Sequence, residues 1–327
     1  MSTEPSPFSP GALLALPAAV RDWLSRAAAL MEPEDRKLLL PTNVARVLVR
    51  RFEGRRAPRP QVDPSYLERD PELISLFGDF ARGLATYYFR SRVHGVENVP
   101  REGPALLVGN HSGGIVTLDS FLASAAIADA HGQDRVPYAL GHDILFDDPR
   151  SAALVRRIGI LPAGHASARL AFQQGSTVLV YPGSDWDAFR PFKDRNKIVL
   201  AGRTGFLKLA LRERVPIVPV VSAGSHTQMI VLTRGDRLAR LIGLHRLARI
   251  NTLPIMLAFP MGITSGLFPY IPFPVQVTIG FGEPISFPDI PPSSADDPEA
   301  LDRAYREVES RMQSLLDRMV HLRAARA

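Results

Sequence analysis

Two features of the 327-residue chain predict an α/β fold, with a mostly parallel central sheet flanked by helices and a helical N-terminal region ahead of it. From about residue 91 onward, short apolar runs alternate with segments of helical periodicity, the order that builds a parallel sheet covered by helices. The runs "TVLVYP" and "PIVPVVSAG" are apolar throughout and bounded by turn residues, as strands buried on both faces are.

The elements follow in order. Residues 1–17 read as a flexible, Pro-containing lead, and 17–52 as helical with a break at Pro41. "RRFEGRRAPRP" reads as a basic connector. Over 71–90, Leu73, Leu76, Phe77, Phe80, Leu84, Tyr87 and Tyr88 recur at three and four, which predicts a helix with one apolar face. "RVHGV" and "PALLVGN" read as strands, "LDSFLASAAIADA" as a helix and "VPYALG" as a short strand. "DPRSAALVRRIG" reads as a helix with Asp148 at its N-cap and Pro149 at its first position. "GILPA" is extended, and "ASARLAFQQG" is a helix closing at Gly175. "VQVTIGFGEPI" is a late strand, and a last helix covers about 297–322. The expected organisation is a helical region over 1–90 and an α/β domain over 91–327.

Apolar residues make up 46% and charged residues 22%, the balance of a globular protein with a real core. The net charge of +6 favours anionic partners. With no cysteine, thiolate chemistry, disulfides and Cys-based zinc sites are excluded. The N-terminus lacks a basic region before its short apolar run, so no signal peptide is expected. Residues 250–282 carry no charge, but Pro254, Pro260, Pro269, Pro272 and Pro274 interrupt them, and no membrane-spanning helix is expected there.

The candidate site lies in "GNHSGGIVTLDS". His111 follows the strand "PALLVGN", and ligands of such sheets gather at the carboxyl ends of strands. A neutral imidazole there accepts a proton from a hydroxyl, and Asp119 is placed to hold the ring's other nitrogen. Gly113 and Gly114 allow a tight turn with bare N–H groups. Base, orienter and oxyanion donors together make half of an acyl-transfer site.

Four blocks in this order resemble the phospholipid/glycerol acyltransferase (PlsC-like) family. They are "NHSGGIVTLD", "IGILPAGHASARLAF", "VLVYPGSDWDAFRP" and "VPIVPV", within about residues 93–290. The resemblance implies transfer of an acyl chain from acyl-CoA or acyl-carrier protein to a hydroxyl, with no covalent enzyme intermediate, no cofactor and no metal. It implies His111 and Asp119 as the catalytic pair. Ser112, Gly113, Gly114, Pro182, Gly183, Ser184, Arg190 and Lys193 are the expected substrate contacts. The sequence departs from the family pattern twice. Seven residues separate His111 from Asp119, more than usual, and Gly183–Ser184 stands where Glu-Gly is usual. Pro-Gly at that point resembles the diacylglycerol-acyltransferase-like branch and points to a neutral lipid acceptor.

Arg190, with Lys193 and Arg195, is expected to receive an anionic group, the CoA pyrophosphate or an acceptor head group. His94, His142, His165, His226 and His245 lack a partner pattern and read as structural. Over 234–250, Leu238, Leu241, Ile242 and His245 share one helical face flanked by arginines, which suits an anionic membrane surface. The expected protein is therefore cytoplasmic and peripheral on a membrane, with an acyl donor and a lipid acceptor as partners and no nucleic acid. Two other readings stand beside it: an esterase, since "HSGG" resembles the His-Gly-Gly loops of such enzymes, and a non-catalytic lipid binder. No G-x-S-x-G nucleophile elbow supports the esterase.

Overall fold

A computed structural model describes residues 18–30, 62–114, 117–241, 252–266 and 270–325. The expected lead at 1–17, the helical pattern beyond residue 30, the basic connector and residues 242–250 of the basic helix lie outside the described residues.

The central sheet has seven strands in the order β1-β10-β6-β2-β5-β3-β4. These are β1 (Arg92–His94), β2 (Ala105–Gly109), β3 (Tyr138–Gly141), β4 (Ile160–Pro162), β5 (Thr177–Val180), β6 (Ile217–Ala223) and β10 (Thr278–Phe281). The run from β6 to β4 is parallel, β10 pairs antiparallel with β6, and β1 runs parallel to β10. Side-chain alternation explains why the central strands are apolar throughout. Leu106 and Val108 of β2 enter one core, while Ala105 and Leu107 enter the other. Ile217 and Val221 of β6 split from Val218 and Val220 in the same way.

Helices α5 (His165–Gln173), α7 (Gly205–Glu213) and α9 (Pro298–Ala324) supply the first core. Helix α3 (Leu118–His131) supplies the second, together with Phe89. Helix α4 (Pro149–Arg157) starts as expected, with Asp148 accepting from the Arg150 and Ser151 amides ahead of Pro149. The same Asp-Pro start opens α2 (Pro71–Gly83) at Asp70 and α9 at Asp297.

Helix α2 continues as a π-helical turn over Leu84–Tyr88 and rests on α3, with Phe77 stacked on Phe121 at 5.8 Å. Helix α1 (Ala18–Leu30) rests in turn on α2, where Trp23 Nε1 donates to the Leu76 carbonyl at 2.9 Å. Leu67 and Phe89 are buried in the two cores of the sheet. Each core of the sheet thus takes in a residue from ahead of position 90.

A second, antiparallel sheet holds β7 (Ile230–Thr233), β8 (Ile255–Ala258) and β9 (Gly262–Ser265). Two of its strands lie in the uncharged stretch 250–282. Among the described residues, no helix is long and apolar enough to cross a membrane. Helix α8 (Asp236–Leu241) is the described part of the basic helix.

Candidate active site

Adjacent parallel strands β6, β2 and β5 end side by side and deliver the site. β2 leads into His111, β5 into Tyr181 and the short helix α6 (Ser184–Ala188), and β6 into Gly224 and His226.

The His111 ring is 13% exposed, and its Nδ1 lies 3.0 Å from Oδ2 of Asp119, which is 1% exposed. The seven-residue gap closes because Gly113 and Gly114 take φ of +84° and +57°, a region that other residues enter at a cost. A Cβ at Gly114 would sit 2.7 Å from the Phe189 ring, so the loop is also packed where it turns. Asp119 stands in the first turn of α3. Its Oδ2 also accepts the Ser112 amide at 2.8 Å, and its Oδ1 the Ser120 amide at 2.9 Å. With the Nδ1–H of the neutral ring donating to Oδ2, the lone pair of His111 lies on Nε2. The ring stacks on Tyr181 at 4.6 Å.

Burial opposes protonation of His111, but the charge and hydrogen bond of Asp119, with Asp187 beyond, hold its pKa above the ordinary value. Burial carries the Tyr181 phenol well above its usual value and keeps it neutral.

A polar layer lies behind the ring. The His111 amide donates to Asp187 Oδ2, and the His111 carbonyl accepts from His226 Nε2 at 3.0 Å. His226 is 3% exposed; burial and the Arg190 cation hold its pKa well below the ordinary value, so it is neutral. Asp187 is fully buried, and burial pushes its carboxyl up to about 6 against the pull of Arg190. The Tyr270 hydroxyl donates to the Gly113 carbonyl and fixes the loop from a third direction. Asn110 Oδ1 accepts the Ser222 amide at 2.8 Å, tying the end of β2 to β6.

The structure redistributes several expected contacts. Arg190 does not stand with Lys193 and Arg195 as an open cluster for an anionic group. It is 1% exposed, Nη1 lies 2.7 Å from Asp187 Oδ1, and it also donates to the Lys197 carbonyl. A buried guanidinium needs such partners. Its Nε and Nη2 have no hydrogen-bond partner among the described residues. Lys193 is exposed, and Arg195 lies over the Phe192 ring at 4.4 Å. Ser112 is fully buried inside the Asp119 cage. The Ser184 amide donates to the Tyr181 carbonyl, the Pro182 carbonyl accepts from Arg203, and Gly183 is packed against the Val199 carbonyl. The sequence reading set His226 aside as structural and did not single out Tyr270; both touch the His111 loop from far along the chain. The one local signal for Asp187 was its i,i+3 spacing to Arg190. His142 caps a turn through the Ile144 amide. Among the described residues, no cluster of His, Asp or Glu has the form of a metal site.

Residues 90–223 match the family model described as Acyltransferase, and the His111–Asp119 pair lies inside the matched segment. Among individual relatives, an uncharacterized protein of Mycobacterium tuberculosis is 35% identical over 233 residues, 71% of this chain and 62% of that protein. An uncharacterized protein of Mycobacterium leprae is 33% identical over 241 residues, 74% of this chain and 63% of the other. The human "DGAT1/2-independent enzyme synthesizing storage lipids" is 26% identical over 196 residues, 60% of this chain and 58% of that enzyme. The matched region thus spans about three-fifths of these curated relatives. The solved 1-acyl-sn-glycerophosphate acyltransferase of Thermotoga maritima aligns with a TM-score of 0.43 at 16% identity, covering 84% of this chain and 92% of that one.

Proposed function

We propose that this protein is a peripheral membrane O-acyltransferase. It moves a fatty acyl group from acyl-CoA or acyl-carrier protein to the hydroxyl of a glycerolipid or similar lipid alcohol, on the cytoplasmic side. The observation that carries this reading is the 3.0 Å contact of His111 Nδ1 with Asp119 at a strand end, which leaves Nε2 as a base on a partly exposed ring. The acceptor hydroxyl gives its proton to Nε2 as its oxygen attacks the thioester carbonyl. The C–O bond forms, the C–S bond breaks, and the thiolate takes the proton back from the imidazolium. Asp119 stabilises the imidazolium meanwhile, and the peptide N–H groups at Gly113 and Gly114 are the oxyanion donors in this reading.

A neutral acceptor is supported by Arg190, whose charge is already engaged by Asp187, and by the name of the human relative, an enzyme synthesizing storage lipids. The experiment is acyl transfer from radiolabelled acyl-CoA to a panel of lipid alcohols, wild type against His111→Ala. General-base help is worth about 10²–10⁴ in rate. A folded variant that keeps more than a tenth of wild-type turnover removes His111 as the base, and release of free fatty acid alone identifies an esterase. A kcat/KM for lysophosphatidate above that for a monoacylglycerol overturns the neutral acceptor.

A further inference from the structure

The small sheet has one face packed on the catalytic loop and another whose large apolar side chains are mostly exposed. Met256, Ala258 and Val231 point inward to Phe189, Met229 and Tyr270, the same residues that hold Gly113 and Gly114. Paired residues across an antiparallel sheet share a face, and the register Ile230–Leu257–Ile263 puts an apolar row on the other side.

That outer side is unusually bare. Ile263 is 72% exposed, and Leu232, Phe259, Met261, Ile271 and Leu257 are each more than a third exposed. Phe259 and Met261 form the tip between β8 and β9. Soluble proteins rarely leave so many large apolar side chains together in water, and such patches mark docking surfaces.

Charge selects the occupant. Residues 250–282 include no Asp, Glu, Lys, Arg or His, and the adjoining helix α8 presents exposed Arg237 and Arg240. The acid beside them, Asp236, is paired with Arg234 at 2.6 Å, and the Arg234 guanidinium lies 3.8 Å over the Trp186 ring. An apolar face with a cationic rim matches the interface of an anionic bilayer, where acyl chains take the former and head groups the latter.

We propose that the outer face of the β7–β8–β9 sheet, with Phe259 and Met261 at its tip and Arg237 and Arg240 at its rim, is the surface by which this protein docks on an anionic lipid bilayer. The proposal deepens the acyltransferase reading, since the sheet's inner face holds the His111 loop and docking brings that loop to the lipid. Trp186, 40% exposed, leads from this surface back to Ser184 and the end of β5.

The test is flotation with phosphatidylcholine vesicles, with and without phosphatidylglycerol, without acyl donor or acceptor. It is thereby independent of turnover. Wild type is expected to float with the anionic vesicles and to be released by high salt. Phe259→Ser with Ile263→Ser, and separately Arg237→Glu with Arg240→Glu, should each lower the partition coefficient at least tenfold while thermal unfolding stays cooperative. Both pairs should keep transfer to a water-soluble alcohol at the wild-type rate, a comparison that separates loss of docking from loss of chemistry. Unchanged flotation of both folded pairs overturns the proposal, as does equal wild-type binding to neutral vesicles. A dimer that the Phe259→Ser, Ile263→Ser pair dissociates, without change in flotation, assigns the face to a second copy instead.

Discussion

The main-chain N–H of His111 donates to Oδ2 of Asp187, a residue 76 positions further along the chain. The carboxylate that fixes the ring's backbone is thus a different one from the carboxylate that meets the ring. Asp187 is in turn held by Arg190 at 2.7 Å, both of them buried.

Asp187→Asn removes one charge of a buried pair and leaves the Arg190 guanidinium without its anion. Breaking such a pair costs about 3–5 kcal/mol, so chemical denaturation should show a loss of stability in that range. Turnover should fall further than stability explains, because a shift of about 1 Å in the His111 loop is worth up to ~10² in rate. The double replacement Asp187→Leu with Arg190→Met should recover most of the stability and little of the turnover. Recovery of both would make the pair purely structural.

The pH profile carries the sign of the Asp119 interaction. The folded-state pKa of His111 is raised, so its protonation favours the fold: that contribution is complete below the unfolded value near ~6.5 and is lost as pH rises through the folded value. In the proposed role His111 acts as the neutral ring, so activity should run the opposite way. The acid limb of kcat/KM should lie above the ordinary imidazole value, and Asp119→Asn, which leaves burial as the main influence, should move it to lower pH. A limb that stays in place in the Asn variant separates Asp119 from the titrating group.

Gly114→Ala and Gly103→Ala form a matched pair. Both glycines have positive φ, +57° and +74°, but a Cβ at Gly103 meets nothing within 4 Å, while one at Gly114 meets the Phe189 ring at 2.7 Å and Met229 at 3.2 Å. Left-handed backbone costs about 1–2 kcal/mol in either case. Thermal unfolding should therefore show a larger loss at Gly114, and a fall in turnover there only. Equal losses would mean that Phe189 yields freely.

Much of the fold was legible because its signals are local. Asp148 before Pro149, the apolar runs of β2, β5 and β6, and the glycine-rich turn after β2 each act within a few residues. Helix α7 is amphipathic, with Phe206, Leu207, Leu209, Ala210 and Leu211 buried and Arg212 exposed, but its nine residues make only about two and a half turns, too short a window to fix a period. The small sheet escaped notice because each of its strands has four residues, and its uncharged, proline-broken setting imitates a membrane stretch. In the site, His111 and Asp119 could be read from one short segment. Tyr270 and His226 could not, because each meets the loop only after the chain has crossed the sheet and returned.

His111 is gripped by its main chain, the amide by Asp187 and the carbonyl by His226, while its ring merely leans on Tyr181 and Asp119. The socket and its occupant are therefore separable. Shortening the side chain to Ala leaves the walls standing: Tyr181 still offers a flat face, and the Asp119 carboxylate is still aimed by the Ser112 and Ser120 amides. Imidazole from solution fits such a socket, and millimolar imidazole should return part of the turnover to the Ala variant.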